Sequence, residues 1–183
     1  MNDSLFLIGL MGCGKTYIGQ KLAAAMSYNF IDMDNYLEED YGATILSIFE
    51  NHGESFFREL EHNYLLSLKD KRQHIFSTGG GLPCFHQNIE IMNAAGTTVY
   101  LKVAPKTIVK RISHQRAHRP LLKNFANDSE LLDFIEKKTE ERNPYYSQAK
   151  IIIDANGNAD ETIKKIVNSN WLSGIDVLKT NNQ

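Results

Sequence analysis

The segment GLMGCGKT at residues 9–16 is the part of this sequence whose residue types and spacing indicate chemistry most directly. It matches the pattern G-x-x-x-x-G-K-[ST] of a phosphate-binding loop at every constrained position. In such a loop the glycines let backbone N–H groups turn inward around a polyphosphate at a helix N-terminus. Lys15 can reach the outer phosphates, and the Thr16 hydroxyl can bind Mg²⁺. The loop therefore predicts nucleoside triphosphate binding by Gly12, Cys13, Gly14, Lys15 and Thr16.

Two further groups of charged residues are candidates for binding a second substrate. Asp32 and Asp34 flank Met33 directly after an apolar segment, so their carboxylates should point differently and do different work. Arg58 and Glu61 are three residues apart and therefore share one helix face, where Glu61 could hold Arg58 in place. Simpler alternatives stay open for both groups. The aspartates could only cap the next helix, and the ion pair could be a solvated surface pair worth little energy.

Three consecutive glycines and a second arginine complete the candidate set. Residues 79–81 are Gly-Gly-Gly, which leaves the backbone bare for a ligand to approach, although a simple turn would have the same composition. A planar guanidinium matches a carboxylate through two parallel hydrogen bonds, so Arg58 and Arg142 on separate helices could fix the orientation of one carboxylate. Residues 114–119 are polar and lack a periodic apolar face, which is typical of a mobile lid and also of an ordinary loop. We place the candidate lid at about residues 113–127.

Alternating strand-like and helix-like segments must position these residues. Apolar runs predict strands over residues 5–8, 30–32, 74–78, 97–103 and 151–153. Five strands separated by helices predict a three-layer α/β/α fold with a five-stranded parallel sheet. Ligands bind such sheets at the carboxyl ends of the strands, where the phosphate loop, the two aspartates and the triple glycine should meet.

The helical periodicity is clearest at three places along the chain. Residues 45–49 and 57–68 each present one apolar face. The apolar residues from Leu131 to Ile135 predict another helix, which should end before Pro144. Asn158 and Glu161 match a capping box at the start of a last helix.

Composition limits the class of protein. With 183 residues the chain suits one domain, which we place at residues 1–172, with a frayed tail at 173–183. A net charge of −2 provides no electrostatic footprint for nucleic acid or an anionic membrane. Two cysteines are too few for a disulfide framework, and no apolar run approaches the roughly 18 residues of a membrane helix. We expect a cytoplasmic monomer that acts on a small molecule.

Taken together in their order along the chain, these motifs resemble the shikimate kinase family. The resemblance runs from about residue 5 to about residue 167 and includes the segments RPLL at 119–122 and RNPYY at 142–146. It implies the P-loop fold of the nucleoside-monophosphate-kinase type with a mobile lid. It also implies ATP-dependent, Mg²⁺-assisted phosphorylation of the 3-hydroxyl of shikimate, a step of aromatic amino-acid biosynthesis.

The resemblance also implies roles for individual residues. Asp34 would bind the acceptor hydroxyls and serve as the candidate base, while Asp32 would support Mg²⁺ through water together with Thr16. The shikimate carboxylate would be held by Arg58 and Arg142, and the backbone of Gly80 and Gly81 would contact the acceptor.

On the nucleotide side, Arg119 in the lid would reach the transferring phosphate, and Arg111 would stack on adenine. The catalytic set is thus Lys15, Asp34 and Arg119. Cys13 departs from the family pattern, in which serine or alanine is common at this position.

Three other functional interpretations compete with a shikimate kinase. A nucleotide or gluconate kinase of the same broad fold would keep the phosphate loop but needs a different acceptor pocket. A regulatory NTPase is a different class, and the sequence lacks an N-K-x-D segment for reading guanine. A non-catalytic nucleotide-binding module would have no need to retain Lys15, Thr16 and Asp32.

Overall fold

The computed structural model describes residues 3–113 and 125–169, which contain a five-stranded parallel sheet. The strand order is β2-β3-β1-β4-β5, and every neighbouring pair is parallel. This confirms the fold class predicted from the alternating segments. The strands are β1 (Leu5–Ile8), β2 (Asn29–Asp32), β3 (His74–Ser77), β4 (Thr97–Lys102) and β5 (Ile151–Asp154).

Helices connect and cover the strands. Helix α1 contacts β1 to β3 and packs beside α7, so these two helices share one face of the sheet. The connections from β2 to β3, from β3 to β4 and from β4 to β5 cross the sheet in the direction opposite to the connection from β1 to β2. Because parallel crossovers are right-handed, the helices in these connections lie on the other face. The helices are α1 (Lys15–Met26), α2 (Met33–Tyr41), α3 (Ile45–Leu68), α4 (Asn88–Ala95), α5 (Pro105–Ile112), α6 (Asp128–Tyr146) and α7 (Ala159–Asn168), with a short 3₁₀ turn at Leu82–Cys84.

The central strand β1 anchors the core. All four of its residues are fully buried, as expected for a strand covered by helices on both faces. Phe6 stacks on Phe76 of β3 with ring centroids 4.7 Å apart, and Ile18 and Leu22 of α1 lie in the same cluster. From β1 the chain crosses to β2 at one edge of the sheet, whereas from β3 it crosses in the opposite direction to β4. The direction of the connections therefore reverses between the adjacent strands β1 and β3. The crevice at such a reversal is where ligands bind in open α/β sheets.

Helix α3 contains a break that matters for the site. Gly53 has φ 82° and ψ 173°, which no helical residue adopts, so α3 consists of two helical segments. The two apolar faces predicted from the sequence correspond to these segments. Glu54 follows the break directly and begins the second segment, on which Arg58 and Glu61 also lie.

The end of helix α6 differs from the sequence prediction. The helix was expected to stop before Pro144, but it continues through this residue to Tyr146. Because Pro144 lies in the last turn, its missing N–H removes only one intrahelical bond. Tyr146 is fully buried and packs against Tyr100 at 5.0 Å, and this packing stabilises the final turn. Packing therefore overrides the local preference of the residue that precedes a proline.

Several sequence predictions concern residues outside the described ranges. Most of the lid, including Arg119, and the tail after residue 172 belong to this group. The capping box of α7 is described: the Glu161 N–H donates to Asn158 Oδ1 at 2.8 Å. Within residues 3–113 and 125–169, no helix combines the length and apolar character needed to cross a membrane.

Candidate active site

The phosphate loop follows β1 and ends where α1 begins. Gly12 and Gly14 have φ values of 76° and 101°, in the left-handed region that side chains disfavour. A Cβ on Gly12 would also lie 2.5 Å from Ile112 Cγ2 of α5, so this position has no space for a side chain. The loop conformation thus requires glycine at both positions. The loop ends at the N-terminus of α1, where unpaired backbone N–H groups and the helix dipole favour an anion.

Lys15 is the first residue of α1 and lies folded against the loop. Its side chain is largely buried, and Nζ donates to the carbonyl oxygens of Gly9 at 2.9 Å and Leu10 at 3.2 Å. Nζ is also 3.8 Å from Cys13 Sγ. The ammonium group is therefore held inside the loop, where it can act on a phosphate that the loop surrounds.

Three oxygen-bearing side chains meet at the carboxyl ends of β2 and β3. Thr16 Oγ1 donates to Asp32 Oδ2 at 2.6 Å and lies 3.4 Å from Ser77 Oγ. Asp32 and Ser77 are register partners in adjacent strands, which fixes their proximity. Asp32 also caps α2 by accepting from the Asn35 N–H at 3.4 Å, so the simpler interpretation as a helix cap holds alongside the contact with Thr16. Hard oxygen ligands of this kind fit Mg²⁺.

Asp34 lies in the first turn of α2 and lines the same crevice. Burial raises the pKa of its carboxyl to about 6; Lys15 and Arg58 oppose this shift, and Asp32 and Glu38 add to it. A carboxylate with a pKa near neutrality is well matched to accepting a proton at physiological pH.

The crevice has a volume of about 420 Å³ and contains most of the predicted nucleotide-side residues. Its walls come from the phosphate loop, from the residues after β2 and β3, and from α5. The lining residues are Met11, Gly12, Gly14, Lys15, Thr16, Tyr17, Asp32, Asp34, Asn35, Ser77, Thr78, Gly80, Arg111 and Ile112.

Arg111 separates this crevice from a second cavity of about 230 Å³ that is lined by Tyr17, Ile18 and residues near the start of α7. Arg111 Nη2 donates to the carbonyl oxygens of Ala155 at 2.8 Å and Gly157 at 2.9 Å. Its Nη1 donates to the carbonyl oxygen of Cys13 at 3.3 Å. These bonds tie the phosphate loop to the segment after β5 and hold the guanidinium between the two cavities.

Arg58 and Glu61 form a buried ion pair. Arg58 Nη1 donates to Glu61 Oε2 at 2.5 Å, and the two side chains are only 10% and 6% exposed. The alternative of a solvated surface pair is therefore wrong. Burial raises the pKa of Glu61 to about 7, and the charge of Arg58 and its hydrogen bond to Glu61 act in the opposite direction. The ring of Phe85 lies 4.5 Å from the guanidinium carbon and further removes it from water.

The triple glycine lies against the charged groups, and each glycine leaves room for one or two of them. A Cβ on Gly79 would lie 2.6 Å from Glu61 Oε1 and 2.7 Å from Asp34 Oδ1. On Gly80 it would lie 3.2 Å from Arg142 Nη1, and on Gly81 it would lie 2.5 Å from Arg58 Nη1. The glycines therefore do more than turn the chain. They let Arg58 and Arg142 approach the same stretch of backbone from different helices.

Sequence reasoning did not identify two of the groups that build this site. Tyr146, which packs against Tyr100, also donates a hydrogen bond from its hydroxyl to the Gly80 carbonyl oxygen at 2.6 Å and so fixes the triple glycine to α6. Ser77 lines the crevice. A serine at the end of a strand, two residues before the triple glycine, was the available signal for Ser77. Nothing local in the sequence indicates the Tyr146 contact.

The structure thus brings most of the predicted site residues to one edge of the sheet. Lys15, Thr16, Asp32 and Asp34 share the crevice with Gly80 and Arg111. Arg58, Gly81 and Arg142 are not among the residues that line it. The two arginines lie against the backbone of Gly81 and Gly80, respectively. Arg119 lies outside the described residues.

A parallel sheet with a phosphate loop after its central strand β1 and two carboxylates at the carboxyl end of β2 defines a P-loop kinase. Comparisons with known proteins identify the family within this class. A family model described as shikimate kinase matches residues 11–170. The chain belongs to the shikimate kinase family.

Individual relatives agree with this assignment. The shikimate kinase of Parabacteroides distasonis is 45% identical over 151 residues, which cover 82% of this chain and 87% of that protein. The crystal structure of shikimate kinase from Bacteroides thetaiotaomicron has a TM-score of 0.87 at 37% identity and covers 92% of this chain and 98% of its own. Shikimate kinase from Acinetobacter baumannii in complex with shikimate has a TM-score of 0.83 at 30% identity, with 96% of each chain covered.

Proposed function

We propose that this protein transfers the γ-phosphoryl group of ATP to the 3-hydroxyl of shikimate, which gives shikimate 3-phosphate for aromatic amino-acid biosynthesis. The observation that supports this most strongly is the arrangement around the triple glycine. The phosphate loop and Asp34 line one crevice together with Gly80, and Arg142 and Arg58 approach the backbone of Gly80 and Gly81. This arrangement suits a hydroxyl acceptor that carries a carboxylate.

The phosphate loop holds the nucleotide in this proposal. Backbone N–H groups of residues 12–16 surround the β-phosphate. The Lys15 ammonium group stabilises the negative charge that develops on the leaving oxygen. The second cavity, beyond Arg111, takes the adenosine moiety. Thr16 and Asp32 would hold Mg²⁺, Asp32 through water, and Ser77 lies close to both. When bound, Mg²⁺ neutralises negative charge on the β- and γ-phosphate oxygens.

Asp34 acts on the acceptor. Its carboxylate accepts a hydrogen bond from the 3-hydroxyl and thereby orients the hydroxyl oxygen toward the γ-phosphorus. As the new O–P bond forms, the hydroxyl proton moves to Asp34 and ADP leaves. We also assign Arg119 to the transferring phosphate, as the family resemblance implies, and infer that a single chain carries out the reaction in the cytoplasm.

Loss of Arg58 or Arg142 is expected to weaken shikimate binding strongly. Alanine at either position removes one partner of a charge-assisted, largely desolvated pair, a loss of about 2–5 kcal/mol in binding. Isothermal titration with shikimate measures this loss directly, and Arg72→Ala, at an exposed arginine before β3, serves as the charge-matched control.

A neutral analogue makes the arginine experiment specific. Wild type should prefer shikimate over its methyl ester, and both arginine variants should hardly distinguish the two ligands. If both variants discriminate as well as wild type does, the carboxylate is bound elsewhere.

Activity is expected to rise between about pH 5 and pH 7 with a midpoint near 6, the raised pKa of Asp34. Because burial raises this pKa, the carboxyl is protonated below the midpoint and can no longer accept the hydroxyl proton. The measurement is kcat/KM for shikimate at saturating ATP and Mg²⁺. A profile that stays flat down to about pH 4, the range of an ordinary aspartate, would contradict this role.

An acceptor panel tests the proposed function against its nearest alternatives. With ATP and Mg²⁺ present, shikimate should be phosphorylated, whereas gluconate and nucleoside monophosphates should not. Preferred phosphorylation of gluconate or a nucleotide would assign the crevice to another kinase of the same fold. Equal ATP hydrolysis with and without every acceptor would instead indicate a regulatory NTPase.

A further inference from the structure

Glu54 holds the outer edge of the Arg58 guanidinium. Its Oε1 atom accepts from Arg58 Nε at 3.1 Å and from Nη2 at 3.0 Å. These two nitrogens form an edge of the guanidinium whose N–H groups are parallel and match the two oxygens of a carboxylate. In this contact only one carboxylate oxygen serves both N–H groups, so the pair is not the full two-oxygen arrangement.

The other sides of the same guanidinium are occupied. Glu61 Oε2 accepts a hydrogen bond from Arg58 Nη1 at 2.5 Å, and the centre of the Phe85 ring lies 4.5 Å from Arg58 Cζ. A Cβ on Gly81 would lie within 2.8 Å of Cζ and of both terminal nitrogens, so the backbone there is also close. The guanidinium has two edges with paired N–H groups. Among the described residues, Glu61 engages Nη1 of the Nη1/Nη2 edge, and Glu54 covers the Nε/Nη2 edge with its single oxygen.

Glu54 is also the member of this cluster that can leave most easily. Its side chain is 59% exposed, compared with 10% for Arg58 and 6% for Glu61. It begins a helical segment directly after the break at Gly53, so only the helix on its C-terminal side restrains it. When Glu54 separates from Arg58, its carboxylate moves into water. If Glu61 separated from Arg58 instead, its buried carboxylate would be left without a partner.

We propose that Glu54 is an internal competitor for the acceptor carboxylate. It occupies the Nε/Nη2 edge of Arg58 in the acceptor-free protein, and the acceptor displaces it by offering two oxygens instead of one. This inference rests on the proposed function, because it takes Arg58 as a carboxylate ligand. Glu54 thereby sets acceptor affinity, and it screens Arg58 from anions that bind more weakly than a carboxylate.

Direct binding of two ligands to Glu54→Gln tests the inference. Isothermal titration without nucleotide gives Kd for shikimate and for its methyl ester. We expect Glu54→Gln to bind shikimate about three- to tenfold more tightly than wild type, because a neutral amide competes less well and no longer repels the incoming carboxylate. The Kd for the neutral ester should be unchanged. Glu59→Gln, at an exposed glutamate on the same helix, controls for the change in net charge.

Each remaining outcome overturns the inference. Weaker or unchanged shikimate binding in Glu54→Gln would mean that Glu54 positions Arg58 or has no influence on it. An equal change for shikimate and its ester, or the same gain in Glu59→Gln, would indicate a general structural or charge effect. Wild-type phosphorylation of shikimate separates the two claims. If it is present, only the inference fails, and if it is absent, the proposed function fails as well.

Discussion

Replacing Lys15 by alanine is expected to lower kcat for phosphoryl transfer by about 10³-fold while leaving the fold intact. The ammonium group is held within the phosphate loop by the carbonyl oxygens of Gly9 and Leu10. From this position it can follow negative charge as it develops on the β- and γ-phosphate oxygens. A preorganised positive group acts mainly on the transition state, so the loss should appear in kcat more than in KM.

A coupled assay of ADP release measures this effect, and circular dichroism checks the fold. Lys21→Ala is the matched control, because Lys21 lies exposed on the same helix, with its Nζ 5.3 Å from the centre of the Tyr17 ring. This control should keep wild-type turnover. If Lys15→Ala turned over at the wild-type rate, residues 9–16 would not be the phosphate-binding loop.

Asp34→Asn is expected to reduce kcat by about 10²-fold or more. Asparagine keeps the shape of the side chain and an oxygen that can accept a hydrogen bond, but it cannot take the hydroxyl proton. The buried setting that raises the pKa of Asp34 to about 6 favours proton transfer at neutral pH. Steady-state kinetics at saturating shikimate and ATP separate this loss from any change in binding.

Asp34→Ala separates proton transfer from orientation of the acceptor. Because the transition state of phosphoryl transfer is loose, it requires little of a base, and orientation could account for much of the effect. A small loss in Asp34→Asn together with a large loss in Asp34→Ala would mean that Asp34 positions the hydroxyl without accepting its proton.

Asp32→Asn should behave differently and mainly raise the Mg²⁺ concentration needed for half-maximal activity. Asp32 Oδ2 accepts a hydrogen bond from the Thr16 hydroxyl at 2.6 Å. This contact places Asp32 beside the expected metal rather than beside the acceptor. Titration of Mg²⁺ at fixed ATP measures the shift. If Asp32→Asn abolished turnover and Asp34→Asn changed only the Mg²⁺ requirement, the two roles would be reversed.

The sequence was sufficient to predict the class of fold and the edge of the sheet that carries the chemistry. The phosphate loop and the two aspartates each follow an apolar strand directly, and the rule that ligands bind at carboxyl ends brings them together. The structure places Lys15, Thr16, Asp32 and Asp34 around one crevice, as expected. These predictions succeed because each depends on a local pattern and one general rule of topology.

The remaining features depend on tertiary packing. The burial of Arg58 and Glu61 follows from the approach of Gly81 and Phe85, which lie at least twenty residues further along the chain. Helix α6 passes Pro144 because Tyr146 is buried against Tyr100 and donates to Gly80. No property of residues near Pro144 indicates this packing, so the local rule for proline gave the wrong helix end.

The most direct test of the proposed function is to identify the product formed from ATP and shikimate by ³¹P NMR. The purified protein with ATP and Mg²⁺ should convert shikimate to its 3-phosphate and release one ADP for each product molecule formed, with little ADP released when shikimate is omitted. Formation of inorganic phosphate at the same rate with and without shikimate, and no phosphate ester, would contradict the proposed function.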